Sequence, residues 1–172
     1  MTTRFKKTGK MLGIIAGWLF LTTQCTKFSE IDFQTPNHFN LDASSHTFEI
    51  RMRQHPEPES FRMIDMIGIL RINGYEEYLY RIGNLYGADI RQDTIVYFEN
   101  FFVICEFYRG RFYNRWRRAE IRGEWFSIKQ TDDNRSMQVS ITENNEDVER
   151  TIFMHLHYYR YQGRITIRQR GR

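Results

Sequence analysis

Thr47-Phe48-Glu49-Ile50-Arg51-Met52-Arg53 sets its apolar side chains on one parity and its polar ones on the other. Successive side chains of a strand point to opposite faces, so this period of two predicts a strand with one buried face. The pattern returns in Ser136–Thr142, where Met137, Val139 and Ile141 alternate with polar residues. It continues through Ile152, Met154, Leu156 and Tyr158, and ends with Ile165 and Ile167 set between Arg164, Thr166 and Arg168. Between these, Met66–Ile72, Glu77–Ile82, Thr94–Phe98 and Phe102–Tyr108 read as further strands, with Asn73-Gly74 as a turn. No long 3.6-residue pattern appears. Short strands separated by turns predict an all-β fold, an immunoglobulin-like β-sandwich.

Composition agrees. Aromatic residues make up 16% of the 172 residues and there are only three prolines, which excludes a disordered chain and suits a packed, strand-rich domain. The net charge of +4 is local. Arg4, Lys6, Lys7 and Lys10 stand without an acid in the first 24 residues, and the rest balances 21 basic against 21 acidic side chains. Basicity is therefore a feature of the N-terminus.

That N-terminus has the layout of an export signal. A cationic stretch precedes Met11–Leu21, which is uncharged, mostly apolar and far short of the roughly 20 residues a bilayer-spanning helix needs. Leu21-Thr22-Thr23-Gln24-Cys25 resembles a lipobox, with Gln24 in the place of the usual Gly or Ala and Leu21 one place early. The expected organisation is a lipoprotein signal peptide over 1–24, a tether over 25–41 behind a lipidated Cys25, and a β-sandwich domain over 42–172. Two acyl signals suffice for stable membrane anchoring. With Cys25 acylated, Cys105 has no partner and reads as a buried, inert thiol in Phe101–Tyr108. No Cys or His spacing supports a metal site, and no cofactor is expected.

Trp125 opens a strand (Trp125-Phe126-Ser127-Ile128), Glu143-Asn144 precede Arg150-Thr151-Ile152, and Gly163, Ile165, Ile167 and Gln169 close the chain. This order resembles the C-terminal half of BACON-type immunoglobulin-like domains, found on envelope lipoproteins of gut anaerobic bacteria. Leu41–Ser45 before Thr47–Met52 is similar to their first strand. Phe61–Phe112 lies outside the match and reads as lengthened or inserted central strands. The resemblance implies a sandwich, an outer-membrane lipoprotein of a Gram-negative bacterium with its leaflet left open, and binding of glycan or mucin. On physical grounds alone, Trp125 anchors the core, Asn144 caps a turn and Gln169 satisfies backbone at the end of the domain.

Catalytic motifs are missing: there is no GxSxG, HExxH, GxxxxGK[ST] or dinucleotide glycine pattern, and the chain is expected not to be an enzyme. His155 and His157 share one strand face without a third ligand nearby. Two stretches look able to bind. Phe107–Arg122 interleaves aromatics with six arginines, among them Arg115, Arg117 and Arg118 around Trp116, against the single acid Glu120. Export makes nucleic acid an unsuitable partner, leaving anionic glycans or lipopolysaccharide. Tyr158, Tyr159 and Tyr161 form the second candidate, on a loop. Arg150–Arg172 carries six more arginines and no acid, so a merged basic face is expected if these strands neighbour one another in one sheet. The reading is a non-enzymatic binding module for glycans or other anionic envelope polymers. The alternative is a structural or protein-interaction subunit of a surface assembly. Asp93-Thr94-Ile95 also resembles a bacterial O-glycosylation acceptor.

Overall fold

The computed structural model describes residues 28–54, 62–80, 82, 93–109 and 114–172. Its strands, in chain order, are β1 (Ser29–Glu30), β2 (His38–Leu41), β3 (His46–Arg51), β4 (Ile67–Ile72), β5 (Tyr75–Tyr78) and β6 (Thr94–Tyr97). They continue with β7 (Phe101–Arg109), β8 (Asn114–Gly123), β9 (Phe126–Gln130), β10 (Ser136–Ile141), β11 (Arg150–Tyr158) and β12 (Tyr161–Gln169). The first sheet runs β1-β12-β11-β4-β5, with β2 also on β12, and the second runs β3-β10-β9-β8-β7-β6. The two pack into an all-β sandwich, as the period of two predicts.

Alternation explains the core. Leu70, Ile152, Met154, Ile165 and Ile167 of the first sheet meet Ile50, Ile121, Ile128, Met137 and Val139 of the second, and none is more than 1% exposed. Each such side chain contributes about 1.5–3 kcal/mol on burial. Asn73 and Gly74 both have positive φ, the geometry of the two-residue hairpin turn that the sequence predicts there. A 3-10 turn, Met63–Met66, enters between the layers and touches strands of both sheets, with Met63, Ile64 and Met66 buried.

The sandwich begins earlier than the expected boundary at residue 42. From Phe28 on, the segment read as a tether belongs to the fold. β1 and β2 both pair in parallel with β12, and between them the chain crosses to the second sheet, where Phe33 bridges Met52. The Gln34 N–H donates to the Arg51 carbonyl at 2.8 Å, and the Arg53 N–H to the Asp32 carbonyl at 2.8 Å. Buried Ile31 and half-buried Phe33, Phe39 and Leu41 join the core. The crossing closes the side of the sandwich between β12 and β3 and covers two sheet edges that would otherwise invite pairing. Cys25 and the signal segment lie outside the described residues.

Candidate binding cleft

β12 is bordered by β11 along its whole length on one side and only in two pieces on the other. β1 pairs with Tyr161 and Gln162, and β2 with Thr166 to Gln169, so Gly163, Arg164 and Ile165 have no strand beside them there. The Gln162 carbonyl accepts from the Ile31 N–H at 2.8 Å, and the Thr166 N–H donates to the Asn37 carbonyl at 2.9 Å. Backbone groups alternate between the two edges of a strand, so the N–H and C=O of Arg164 point into the same gap. Glycine at 163 makes the crossing tight. A Cβ there would lie 3.0 Å from the Phe33 ring and 3.1 Å from the Cβ of Ile31.

The gap opens into a cleft of about 500 Å³. Its rim includes Glu30 and His38 from the N-terminal segment, Phe153 and His155 from β11, and Gln162 and Arg164 from β12. Register explains the set: Phe153 lies opposite Thr166, His155 opposite Arg164 and His157 opposite Gln162, all on the outward parity of the first sheet. The buried Nε2 of His155 has no hydrogen-bond partner. Burial first, then the positive Arg164 and then His157 hold the pKa of His155 below the usual histidine value, so the ring favours its neutral form.

The residues singled out in the sequence are distributed differently. β8 lies in the second sheet while β11 and β12 lie in the first, so the two arginine-rich stretches do not merge into one basic face. Arg118 is no ligand-binding group. It is 9% exposed, and its guanidinium donates to the carbonyls of Ile64 at 3.1 Å, Ile67 at 2.6 Å and Leu79 at 3.0 Å. The Arg117 guanidinium lies 3.4 Å from the centre of the Tyr108 ring. The side chains of Arg115 and Trp116 lie outside the described residues. The tyrosine loop is not a platform either: Tyr158 is buried, Tyr161 packs against the core, and only Tyr159 stands clear, at the left-handed turn position.

Trp125, Asn144, Arg150 and Gln169 occupy one end of the sandwich. Trp125 meets the Phe126 ring edge-on and has the Arg150 guanidinium 5.4 Å from its centre. The Asn144 amide donates to the carbonyls of Val148 and Arg170, and its oxygen accepts from the Glu146 N–H. Gln169 Nε2 donates to the carbonyls of Ala43, Ser44 and Thr142. A second recess of about 450 Å³ opens near this end, between Asn73, Tyr75, Glu99, Asn100, Glu124 and Trp125. Hydrogen bonding to Glu99 and Glu77 pushes the Tyr75 phenol up to about 12, the mark of an acidic surrounding that repels anions.

Among the described residues no three His, Cys, Asp or Glu side chains converge to hold a metal, and no helix is long and apolar enough to cross a membrane. Cys105 is buried and its thiol is pushed up to about 11, chiefly by burial, which leaves it a poor nucleophile. The β12 cleft joins the rings of Phe33 and Phe153, the amides of Asn37 and Gln162, an arginine and an underbonded histidine in one concavity. Its signal in the sequence was the outward parity of Phe153, His155 and Arg164. The gap itself depends on where the N-terminal segment leaves β12, which no local pattern encodes.

No family model and no curated protein matches the chain. Among solved structures it is similar to an NMR structure of a protein from Bacteroides thetaiotaomicron, with 14% identity, 85% of this chain and 86% of that chain covered, and a TM-score of 0.46.

Proposed function

We propose that this chain is a non-enzymatic binding module of the cell envelope whose ligand, a glycan or another anionic envelope polymer, sits in the β12 cleft. The observation that carries the reading is the interrupted edge of β12, where an open backbone position lies beside the Phe153 ring, the Arg164 guanidinium and the underbonded His155. Such a cleft offers a flat ring, donors and acceptors to one ligand, and a ligand that displaces water from the gap must pair with the groups it uncovers. The BACON-type resemblance and the export signal ending at Cys25 support an envelope setting with a lipid anchor.

The test is titration of the full chain, held in mild detergent, with neutral and acidic soluble oligosaccharides, followed by NMR. Binding is expected to shift signals of β11 and β12, to be lost in Phe153→Ala, and to survive Arg117→Gln on the opposite sheet. No binding at millimolar sugar, or binding lost only with Arg117, overturns the reading. In that case the interaction-subunit alternative gains, and one feature favours it: edge strand β6 exposes Ile95 by 45% and Tyr97 by 76%.

A further inference from the structure

The charges of the cleft are unspent. Arg164 is exposed on the open edge of β12 and makes no hydrogen bond or ion pair with any described residue, and the same is true of Glu30 on the facing strand. His155 lies directly across the register from Arg164, and its Nε2 is buried without a partner. One part of the cleft therefore offers a guanidinium, an imidazole and the inward-pointing Arg164 N–H. The rest offers a carboxylate and the amides of Asn37 and Gln162.

These two halves ask for different chemistry. A polysulfate or polyphosphate would satisfy Arg164 but carries no donor for Glu30 and is repelled by it. A neutral sugar would satisfy Glu30 with its hydroxyls and leave Arg164 and His155 unmatched. A ligand bearing both an acid and hydroxyls meets both, because an arginine fork pairs with a carboxylate in two parallel bonds while hydroxyls donate to Glu30. We infer that the cleft recognises a carboxylated sugar unit, its carboxylate against Arg164 and near the His155 ring and its hydroxyls toward Glu30, Asn37 and Gln162. The inference rests on the binding reading above and names the class of ligand for that site.

It also predicts a direction with pH. Around His155 stand His157 from its own strand, Arg164 from β12, Glu30 from β1 and His38 from β2, while β4 opposes it with uncharged Ile69 and, two pairs further, Arg71 bonded to Glu76. In the free protein burial first, and then the positive Arg164, favour neutral His155. A bound carboxylate reverses that balance, so binding takes up a proton and tightens as pH falls toward the pKa of His155. The sugar acid itself stays ionised above about pH 4.

The experiment compares the methyl glycoside of glucuronic acid with methyl glucoside, which differ only at C6, carboxylate against hydroxymethyl, by NMR titration of the full chain between about pH 5 and pH 8. The glucuronide is expected to bind at least about tenfold more tightly, about 1.4 kcal/mol, and to gain affinity toward acid pH. Arg164→Gln should bring the two sugars to equal affinity, and His155→Gln should flatten the pH profile while keeping the preference for the acid. Equal binding of both sugars to the unmutated chain overturns the acidic-sugar inference and leaves the cleft reading standing. If neither sugar binds and no other glycan does, both readings fall. An unchanged pH profile in His155→Gln overturns the role of that histidine.

Discussion

Replacing Arg118 by methionine is expected to cost about 3–5 kcal/mol of stability, which inverts what a surface arginine in a basic run would do. Its side chain runs from β8 to the 3-10 turn and the end of β5, where three main-chain carbonyls accept from it at 3.1 Å or less and that of Asp65 at 3.3 Å. Its own N–H donates to the Asp65 carboxylate at 2.8 Å. A buried charge is expensive, and methionine of similar length would recover that desolvation. The carbonyls of Ile64, Ile67 and Leu79 belong to the main chain, however, and stay where they are. Each loses a charge-assisted bond and is left short of a donor at about 1–3 kcal/mol. Three such losses outweigh the desolvation recovered, so the penalty wins. Against a typical total of about 5–15 kcal/mol it is a large share, and it corresponds to a fall in Tm of roughly 10–20 °C. Urea unfolding followed by tryptophan fluorescence reads it directly. Arg168→Met, on an exposed β12 position, should stay within about 0.5 kcal/mol. If Arg118→Met unfolds at the same midpoint as Arg168→Met, the carbonyl cradle does not hold the layers together and the argument fails. It follows that replacing Arg115, Arg117 and Arg118 together cannot serve as a fold-neutral test of ligand binding.

Two further outcomes are expected. Gln169→Glu should destabilise by about 2–4 kcal/mol, because a carboxylate replaces an amide that donates to three carbonyls. Burial among acceptors raises the folded pKa of the new acid, so its stability holds below the unfolded value near 4.3 and is lost as pH rises. Denaturation at about pH 5 and pH 8 should show the larger loss at the higher pH. Asp42 behaves in the opposite sense. Hydrogen bonds from the Ser44 hydroxyl, the Ser44 N–H and His46 hold its carboxyl at about 2, so its contribution is complete above about pH 4 and is lost as pH falls toward 2. Asp42→Asn should flatten the stability profile across that acid window, and an unchanged slope in acid urea titrations would contradict the hydrogen-bond account.

The strands were legible because each has one wet and one dry face. Ile152, Met154 and Leu156 must alternate with Phe153, His155 and His157 if β11 is to face a core on one side only, and that necessity is written locally. The N-terminal segment escaped the same reading for a physical reason. Its alternation is broken into two short pieces, Ile31 with Phe33 and Phe39 with Leu41, because the chain changes sheets between them at Pro36 and Asn37. Two residues of period two look like a linker. Arg118 was misread for a related reason, since residue type argues for the surface and only the arrival of a 3-10 turn from elsewhere in the chain supplies the carbonyls that hold it inside. The cleft shares this origin. Phe153, His155 and Arg164 could be assigned to one outward face by counting, but what turns a flat sheet face into a concavity is the departure of the N-terminal segment from β12 at Ile31 and its return at His38. Two separate parallel pairings to one strand leave Arg164 with an open backbone edge. An unbroken pairing along β12 would have satisfied that edge and left only a solvated sheet, so the gap is what makes these residues a site.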